Sequence, residues 1–198
     1  MSEKADVAAA TPGDRSASDP DSFGNRARAR LSQMFGFDTR SLALTRVVLC
    51  TLMLADLFNR IPDVEAHYTD FGVLPRSEYI TNFAQKWMVS LYMWGGTPLA
   101  VYTLMAIQAC FVFGLLIGWR TRLMHFLSWI FLISLHGRNP YVLQAGDVLL
   151  RQVMFWTMFL PMGAKWSVDA ANNALRDSYP PPKHFASVVS FGLILQIF

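Results

Sequence analysis

Charged residues and cysteines are both scarce in this chain of 198 residues. Only 16% of the residues are charged, whereas 53% are hydrophobic and the mean hydropathy is +0.29. Soluble domains carry about 25% charged residues, so a water-soluble single domain is not expected. Both cysteines, Cys50 and Cys110, lie inside apolar runs, which indicates small buried hydrophobes rather than a disulfide or a metal pair.

Three further absences narrow the class of function. No CxxC or HExxH spacing occurs, so the sequence predicts no metal site. The net charge is +3, but the basic residues are not interleaved with exposed aromatic ones, so nucleic acid is not expected as a partner. The first 30 residues hold no apolar run, so we expect no cleaved signal peptide, and the first membrane helix must itself direct insertion.

Long apolar stretches make up most of the chain. Two of them, residues 42–61 and 97–119, reach the roughly 20 residues that cross a hydrocarbon core of about 30 Å. Two shorter stretches, 123–135 and 148–160, are expected to span with the help of their flanking turns. A fifth, 185–198, stops with the chain, which indicates an N-terminal fragment of a longer protein. The predicted fold is all-α, a polytopic transmembrane helix bundle of four spans plus a truncated fifth.

The polar residues predict the domain organisation and the orientation. Residues 1–33 are rich in Ala, Ser, Asp, Gly and Arg and are predicted to form a disordered cytoplasmic tail, followed by a transmembrane domain over 34–198. Most Lys and Arg residues fall on the side of the tail, whereas the opposite loops hold only Arg76, Lys86 and Arg138. This asymmetry predicts a multi-pass protein with a cytoplasmic N-terminus. In a bacterium the membrane would be the inner (plasma) membrane, because outer-membrane proteins are normally barrels.

The loop between the first two spans predicts an amphipathic helix over residues 79–94. Apolar side chains recur there at steps of three and four, at Ile80, Phe83, Trp87, Leu91 and Trp94. Such a stripe is typical of a helix lying in the outer membrane interface. The alternative is the core stripe of a soluble helix.

Ionisable residues inside the spans point to a polar interior. In the first span, Arg46, Asp56 and Arg60 fall on one stripe, which must face the bundle because charges in lipid are costly. The stripe is either one wall of a polar pocket or a plain Asp56–Arg60 ion pair with Arg46 reaching to the interface. In the third span, His125 and His136 share a face, a pattern more typical of hydrogen-bonded packing than of a ligand.

The stretch over residues 136–151 is the most informative one. Its Asn139-Pro140 step breaks the helix, and Asp147 stands at an N-cap position with Arg151 one turn later. A helix cap and a local ion pair would explain these residues without any chemistry. The alternative is a polar group at the outer mouth of the bundle that binds a ligand headgroup through Arg138, Asn139, Asp147 and Arg151.

Two groups of residues form a pattern known from one family. Around the first span and its loop they are Asp38, Arg40, Leu42, Tyr68, Asp70, Gly72, Val73, Leu74 and Pro75. Around the fourth helix they are Gly146, Asp147, Leu150, Phe155, Trp156, Leu160, Pro161, Trp166, Ser167, Val168 and Asp169. In this order they resemble the HTTM domain, the membrane domain shared by the vitamin K-dependent gamma-carboxylase and many bacterial proteins. The resemblance runs from about residue 37 to the end of the chain.

The resemblance implies the HTTM fold and one possible chemistry. The carboxylase couples epoxidation of vitamin K hydroquinone to carboxylation of protein glutamates, with an essential lysine that follows a Gln-Ile-Phe segment. This chain ends at Gln196-Ile197-Phe198, ahead of that lysine position. Where the carboxylase has Asn-His before the fourth helix, this chain has Gly146-Asp147, and a carboxylate cannot donate a hydrogen bond as imidazole does.

The leading hypothesis is therefore an integral membrane protein of HTTM type that binds a lipid-soluble ligand such as a quinone inside the bundle. The candidate ligand-binding residues are Arg46, Asp56, Arg138, Asn139, Asp147 and Arg151. One alternative is a carboxylase-like or epoxidase-like enzyme acting on a vitamin K-like hydroquinone, and another is a membrane interaction protein. The sequence assigns no catalytic residue, and the expected partners are the lipid bilayer and a lipid-soluble small molecule.

Overall fold

A computed structural model describes residues 37–82, 90–175 and 184–185. Its helices are α1 (Thr39–Arg60), α2 (Val64–Tyr68), α3 (Arg76–Asn82), α4 (Pro98–Ile117), α5 (Thr121–Arg138), α6 (Ala145–Thr157) and α7 (Val168–Leu175). Short 3-10 turns cover Ile61–Asp63, Leu91–Met93 and Pro140–Val142. Two strands of two residues each, β1 (Phe37–Asp38) and β2 (His184–Phe185), pair antiparallel. Apart from this short strand pair, every described element is helical, which confirms the predicted all-α class.

The ends of the long helices follow from local sequence signals. Asp38 caps α1 by accepting a hydrogen bond from the backbone N–H of Arg40, and Thr97 caps α4 just before a proline in its first turn. Gly118 ends α4 with a φ of +75°, a conformation that glycine adopts without steric cost. The ends of α1, α4, α5 and α6 lie within about three residues of the ends of the four predicted apolar stretches, as expected for boundaries read from sequence.

The four long helices α1, α4, α5 and α6 run up and down and form one bundle. The helix α4 packs against both α1 and α5, and α6 packs against α5. Buried apolar side chains form two clusters along the bundle. The first contains Leu42, Leu49, Cys50, Met53, Val112, Leu115, Met124, Leu132, Met154, Leu160 and Met162. The second contains Leu57, Val64, Tyr68, Tyr92, Val101, Met105 and Leu135.

Two helical segments, Thr39–Tyr68 and Pro98–Ile117, are long and apolar enough to cross a membrane. The helix α5 has 18 residues and α6 has only 13, so α6 extends about 20 Å at 1.5 Å per residue. Two of the four predicted spans therefore meet the length and hydropathy that spanning requires. The predicted tail over residues 1–33 and nearly all of the fifth apolar stretch lie outside the described residues.

The prediction of one continuous helix over residues 79–94 is wrong at its C-terminal end. Ser90 has an extended backbone and the next residues form a 3-10 turn. The reason is tertiary: the Ser90 hydroxyl donates to the carbonyl oxygen of Ser134 on α5, and the Leu91 N–H donates to the Ser134 hydroxyl. The Tyr92 hydroxyl also donates to Gln108 on α4, at 2.8 Å. The segment is thus fixed to the bundle, and residues 83–89 lie outside the described part.

Candidate functional site

A network of charged side chains lies at the C-terminal end of α1. The Arg60 guanidinium donates through Nε to both carboxylate oxygens of Asp56, at 3.0 and 2.9 Å. Its Nη2 donates to Asp147 Oδ1 at 3.0 Å, and its Nη1 donates to the Tyr68 hydroxyl at 2.7 Å. The predicted Asp56–Arg60 pair therefore forms, but as part of a larger network that includes α2 and α6.

Asp147 enters this network because α6 begins where α1 ends. The sequence places Asp147 at the N-cap, but the structure shows Gln144 at that position and Asp147 three residues into the helix. Asp147 Oδ2 still accepts the Gln144 backbone N–H at 3.0 Å, as the third residue of a capping box does. Its other oxygen, Oδ1, is thereby left to point at Arg60.

His136 lies behind the two carboxylates, in the last turn of α5. It is 2% exposed, and neither ring nitrogen has a hydrogen-bond partner among the described residues. Its Nε2 lies 3.8 Å from Asp147 Oδ1. One ligand atom each of Asp56, His136 and Asp147 lies within 4.8 Å of the other two. Three helices thus bring an imidazole and two carboxylates to one point.

A cavity of about 310 Å³ opens beside this network. It is lined by Asp56, Asn59, Arg60, Asp63, His67, Tyr68, Val142, Gln144 and Asp147. The size is at the lower end of ordinary small-molecule sites. The lining offers carboxylate acceptors as well as guanidinium, amide and hydroxyl donors, so the cavity suits a small ligand with polar oxygen atoms.

Arg46, a predicted ligand-binding residue, lies about 21 Å from Arg60 along α1, because the two residues are 14 positions apart and each position adds about 1.5 Å. Its side chain is buried and does not extend to a surface. Nη1 donates to the carbonyl oxygen of Met162 at 3.1 Å, and Nη2 donates to that of Trp166 at 2.5 Å. Arg46 does face the interior as predicted, but it links α1 to the loop between α6 and α7.

Arg138 and Asn139 hold the loop that follows α2. Arg138 is fully buried and donates to the carbonyl oxygens of Leu74 and Thr69, at 2.9 and 3.3 Å. The Asn139 side-chain amide donates to the carbonyl oxygen of His67 at 2.9 Å. Both side chains therefore shape the edge of the pocket through backbone contacts.

Beside them, Asp70 forms an exposed salt bridge with Arg76, at 2.6 Å, and lies 3.5 Å from Arg138. The hydrogen bond from Arg76 holds the pKa of Asp70 below its usual range, and nearby positive charge acts in the same direction. Asp70 lies in the same loop as Thr69 and Leu74, which Arg138 contacts, and Arg76 begins α3 directly after this loop. Both residues lie outside the candidate spans.

Arg151 lies apart from the pocket. Within residues 37–82 and 90–175, no ion pair joins it to Asp147, because Asp147 pairs with Arg60 instead. Arg151 borders a different cleft, with Trp129 and Phe155. Of the six predicted residues, Asp56 and Asp147 line the pocket, Arg138 and Asn139 support its edge, and Arg46 and Arg151 lie elsewhere.

Several pocket residues escaped the sequence analysis. Arg60 was recognised on the same stripe as Asp56, and its i,i+4 spacing could have placed it in the site. Asn59 and Gln144 carry no comparable signal, and Tyr68 belongs to the family pattern but was not predicted as a pocket residue. The three side chains meet through the packing of separate segments. No family model, curated protein or solved structure matches this chain.

Proposed function

We propose that the chain is a multi-pass membrane protein of HTTM type whose pocket binds the polar headgroup of a lipid-soluble ligand such as a quinone. One observation carries the proposal: a buried end of the bundle holds a guanidinium between two carboxylates and a hydroxyl, next to a cavity of ligand size. Cavities of this size in which several polar groups converge at fixed positions are typical of ligand sites.

The outward surface of the bundle supports placement in lipid. On α1, Leu44, Val48 and Leu52 follow one another at steps of four and are each about half exposed. Only 39% of the apolar window in the first candidate span and 33% in the second are buried inside the protein. A core helix of a soluble protein is mostly buried, so these exposed faces suit contact with acyl chains.

The direction of the helices supports a pocket on the outer side of the membrane. The loops after α1 and α5 meet at the pocket end, whereas the loops after α4 and α6 meet at the Arg46 end. The latter end also carries Arg40, Arg120 and Arg122. By the positive-inside rule the Arg46 end is cytoplasmic, and the pocket faces the other compartment.

The donor set suits a quinone and its reduced form. A quinone carbonyl accepts hydrogen bonds, which Arg60, Tyr68 and Asn59 can donate. The hydroxyls of a hydroquinone donate hydrogen bonds, which the carboxylates of Asp56 and Asp147 can accept. The pocket thus offers a partner for the ring oxygens in either redox state.

Titration with a short-chain ubiquinone tests this proposal. The protein is purified into nanodiscs with a chelator present, and binding is followed by quenching of tryptophan fluorescence. We expect saturable binding that weakens about tenfold in Arg60→Gln and in Asp147→Asn, because a hydrogen bond to a charged group contributes about 1.5 kcal/mol or more. Arg151→Gln is the matched control, since Arg151 lies on α6 outside the pocket.

Two results of the ubiquinone titration would contradict the proposal or its location. Binding that is absent in the wild type, or equal in the wild type and both pocket variants, contradicts the proposal. Weaker binding in Arg151→Gln to the same degree as in Arg60→Gln contradicts the location of the site.

A further inference from the structure

We propose that Asp56, His136 and Asp147 form a binding site for a divalent first-row transition metal ion, with Zn²⁺ as the reference ion. The three residues come from α1, α5 and α6; Asp56 and Asp147 line the pocket, and His136 lies behind them. This inference does not rest on quinone binding, because it needs no organic ligand.

The geometry is close to that of a metal centre. One ligand atom of each residue lies within 4.8 Å of the others, and His136 Nε2 lies 3.8 Å from Asp147 Oδ1. In a tetrahedral zinc site, two ligands that are each bonded at about 2.1 Å lie about 3.4 Å apart. The His136–Asp147 pair would therefore close by about 0.4 Å and the widest pair by up to about 1.4 Å, which rotation of the carboxylate side chains can supply.

His136 supplies an observation independent of the two carboxylates. Its side chain is fully buried and both ring nitrogens lack a hydrogen-bond partner among the described residues. Leaving a buried polar atom unpaired costs free energy, so such atoms are usually satisfied. A metal ion bonded to Nε2 removes half of this deficit, since neutral imidazole is a common metal ligand.

The ligand set defines the chemical class of the ion. One imidazole nitrogen and two carboxylate oxygens suit Zn²⁺, Mn²⁺ or Fe²⁺ better than the thiolate-preferring Cu⁺. Gln144 already orients Asp147 through a backbone hydrogen bond to Oδ2, so that Oδ1 faces both His136 and Arg60. Three protein ligands would leave a fourth position for water or a ligand, and Asp56 and Asp147 both border the cavity.

Arg60 competes directly for this position. Its guanidinium bonds both oxygens of Asp56 and also Asp147 Oδ1, the oxygen that faces His136. Binding of the ion requires Arg60 to release Asp147 Oδ1, while its contact with Tyr68 can remain. Removal of the positive charge of Arg60 is therefore expected to strengthen metal binding.

Zinc titration of the full chain in nanodiscs, after removal of metal with a chelator, tests the site. By calorimetry we expect one Zn²⁺ per chain, a loss of affinity of at least tenfold in His136→Gln and Asp147→Asn, and tighter binding in Arg60→Gln. His125→Gln is the control, because His125 is a buried histidine of the same helix whose Nε2 lies 2.9 Å from the Met154 carbonyl oxygen.

A second measurement needs no variant and covers the case in which a substitution prevents folding. X-ray absorption at the zinc edge of the wild type should show one imidazole and a shell of oxygen ligands. A spectrum without imidazole, no binding at all, or zinc affinity unchanged in His136→Gln overturns the inference. Quinone binding measured with chelator present stays informative in each case, so failure of the metal site and failure of the ligand site are distinguishable.

Discussion

Arg46 and Arg60 lie on the same helix and are both largely buried, but their partners differ in kind. Arg46 donates to two backbone carbonyl oxygens, those of Met162 and Trp166. Within the described part of the chain, Arg60 donates to side chains only, on Asp56, Tyr68 and Asp147. Backbone acceptors are fixed by the fold, whereas side-chain acceptors can change partner when a ligand arrives. The comparison separates an arginine that builds the bundle from one that can take part in binding.

The Arg46 end of the bundle is held together by tight contacts, beside a cleft of about 900 Å³ that borders Thr121, Met162 and Asp169. Gly118 adopts a positive φ beside Arg46, and a Cβ at that position would overlap Ser167 and lie 2.7 Å from Arg46 Nη1. Asp169 closes the neighbouring turn by accepting hydrogen bonds from the Arg120 N–H and from the N–H and hydroxyl of Thr121. These contacts tie α1, α4 and the loop after α6 to one another, so the partners of Arg46 are fixed by the fold.

The largest expected effect comes from Arg46→Met. The substitution leaves the buried carbonyl oxygen of Met162 and the half-buried one of Trp166 without their donor, so the free energy of unfolding should fall by about 3 kcal/mol. Arg60→Met leaves Asp56 and Asp147 at the wall of the pocket, where water can reach them, and we expect a smaller loss of about 2 kcal/mol. Thermal unfolding of both variants in the same detergent measures the difference. An equal or larger loss in Arg60→Met would remove the distinction between the two ends.

A smaller effect is expected from Asp169→Asn at the Arg46 end. Burial raises the pKa of Asp169, but the hydrogen bonds from Thr121 and Arg120 lower it by more than burial raises it. The pKa of Asp169 therefore lies below its usual value. The stabilisation is therefore present above the unfolded-state pKa, near 3.9, and is lost as the pH falls through the folded-state value. We expect a loss of about 1 kcal/mol at neutral pH.

The pH dependence provides the check on Asp169. The difference in melting temperature between the wild type and Asp169→Asn should be largest near neutral pH and shrink below about pH 4. Arg122→Gln, an exposed neighbour for which no ion pair is recorded among the described residues, is the control. A difference that grows on acidification would show that the carboxylate is not the stabilising form.

The difference between the two ends also explains what the sequence could predict. Spacing along one helix is visible in the sequence, so the inward stripe of α1 and the Asp56–Arg60 pair were predictable. The same spacing predicted an Asp147–Arg151 pair, which the approach of α1 prevents by supplying Arg60 as the partner. Contacts between helices carry no periodic signal.

His136 is a second case in which a contact between helices could not be predicted from the sequence. On its own helix it looks like a packing residue, as His125 indeed is, with its ring near the carbonyl oxygen of Met154. The unpaired nitrogens of His136 become meaningful only when α1 and α6 place Asp56 and Asp147 beside it. The helical class and the inward-facing stripe of α1 were therefore predictable from the sequence. The set of residues that forms the pocket was not, because it depends on how three helices pack together.

The smallest effect is expected from Asp70→Asn at the pocket end. Asp70 and Arg76 are each about one-third exposed, and an exposed ion pair contributes at most about 1 kcal/mol. Because Arg76 lowers the pKa of Asp70, the contribution is present above the unfolded-state pKa and disappears as the pH falls through the folded-state value. Melting at low and high salt measures it, since screening weakens an exposed pair. A loss as large as that of Arg46→Met would mean that this loop is as tightly fixed as the Arg46 end, and the contrast between a fixed end and an adaptable one would not hold.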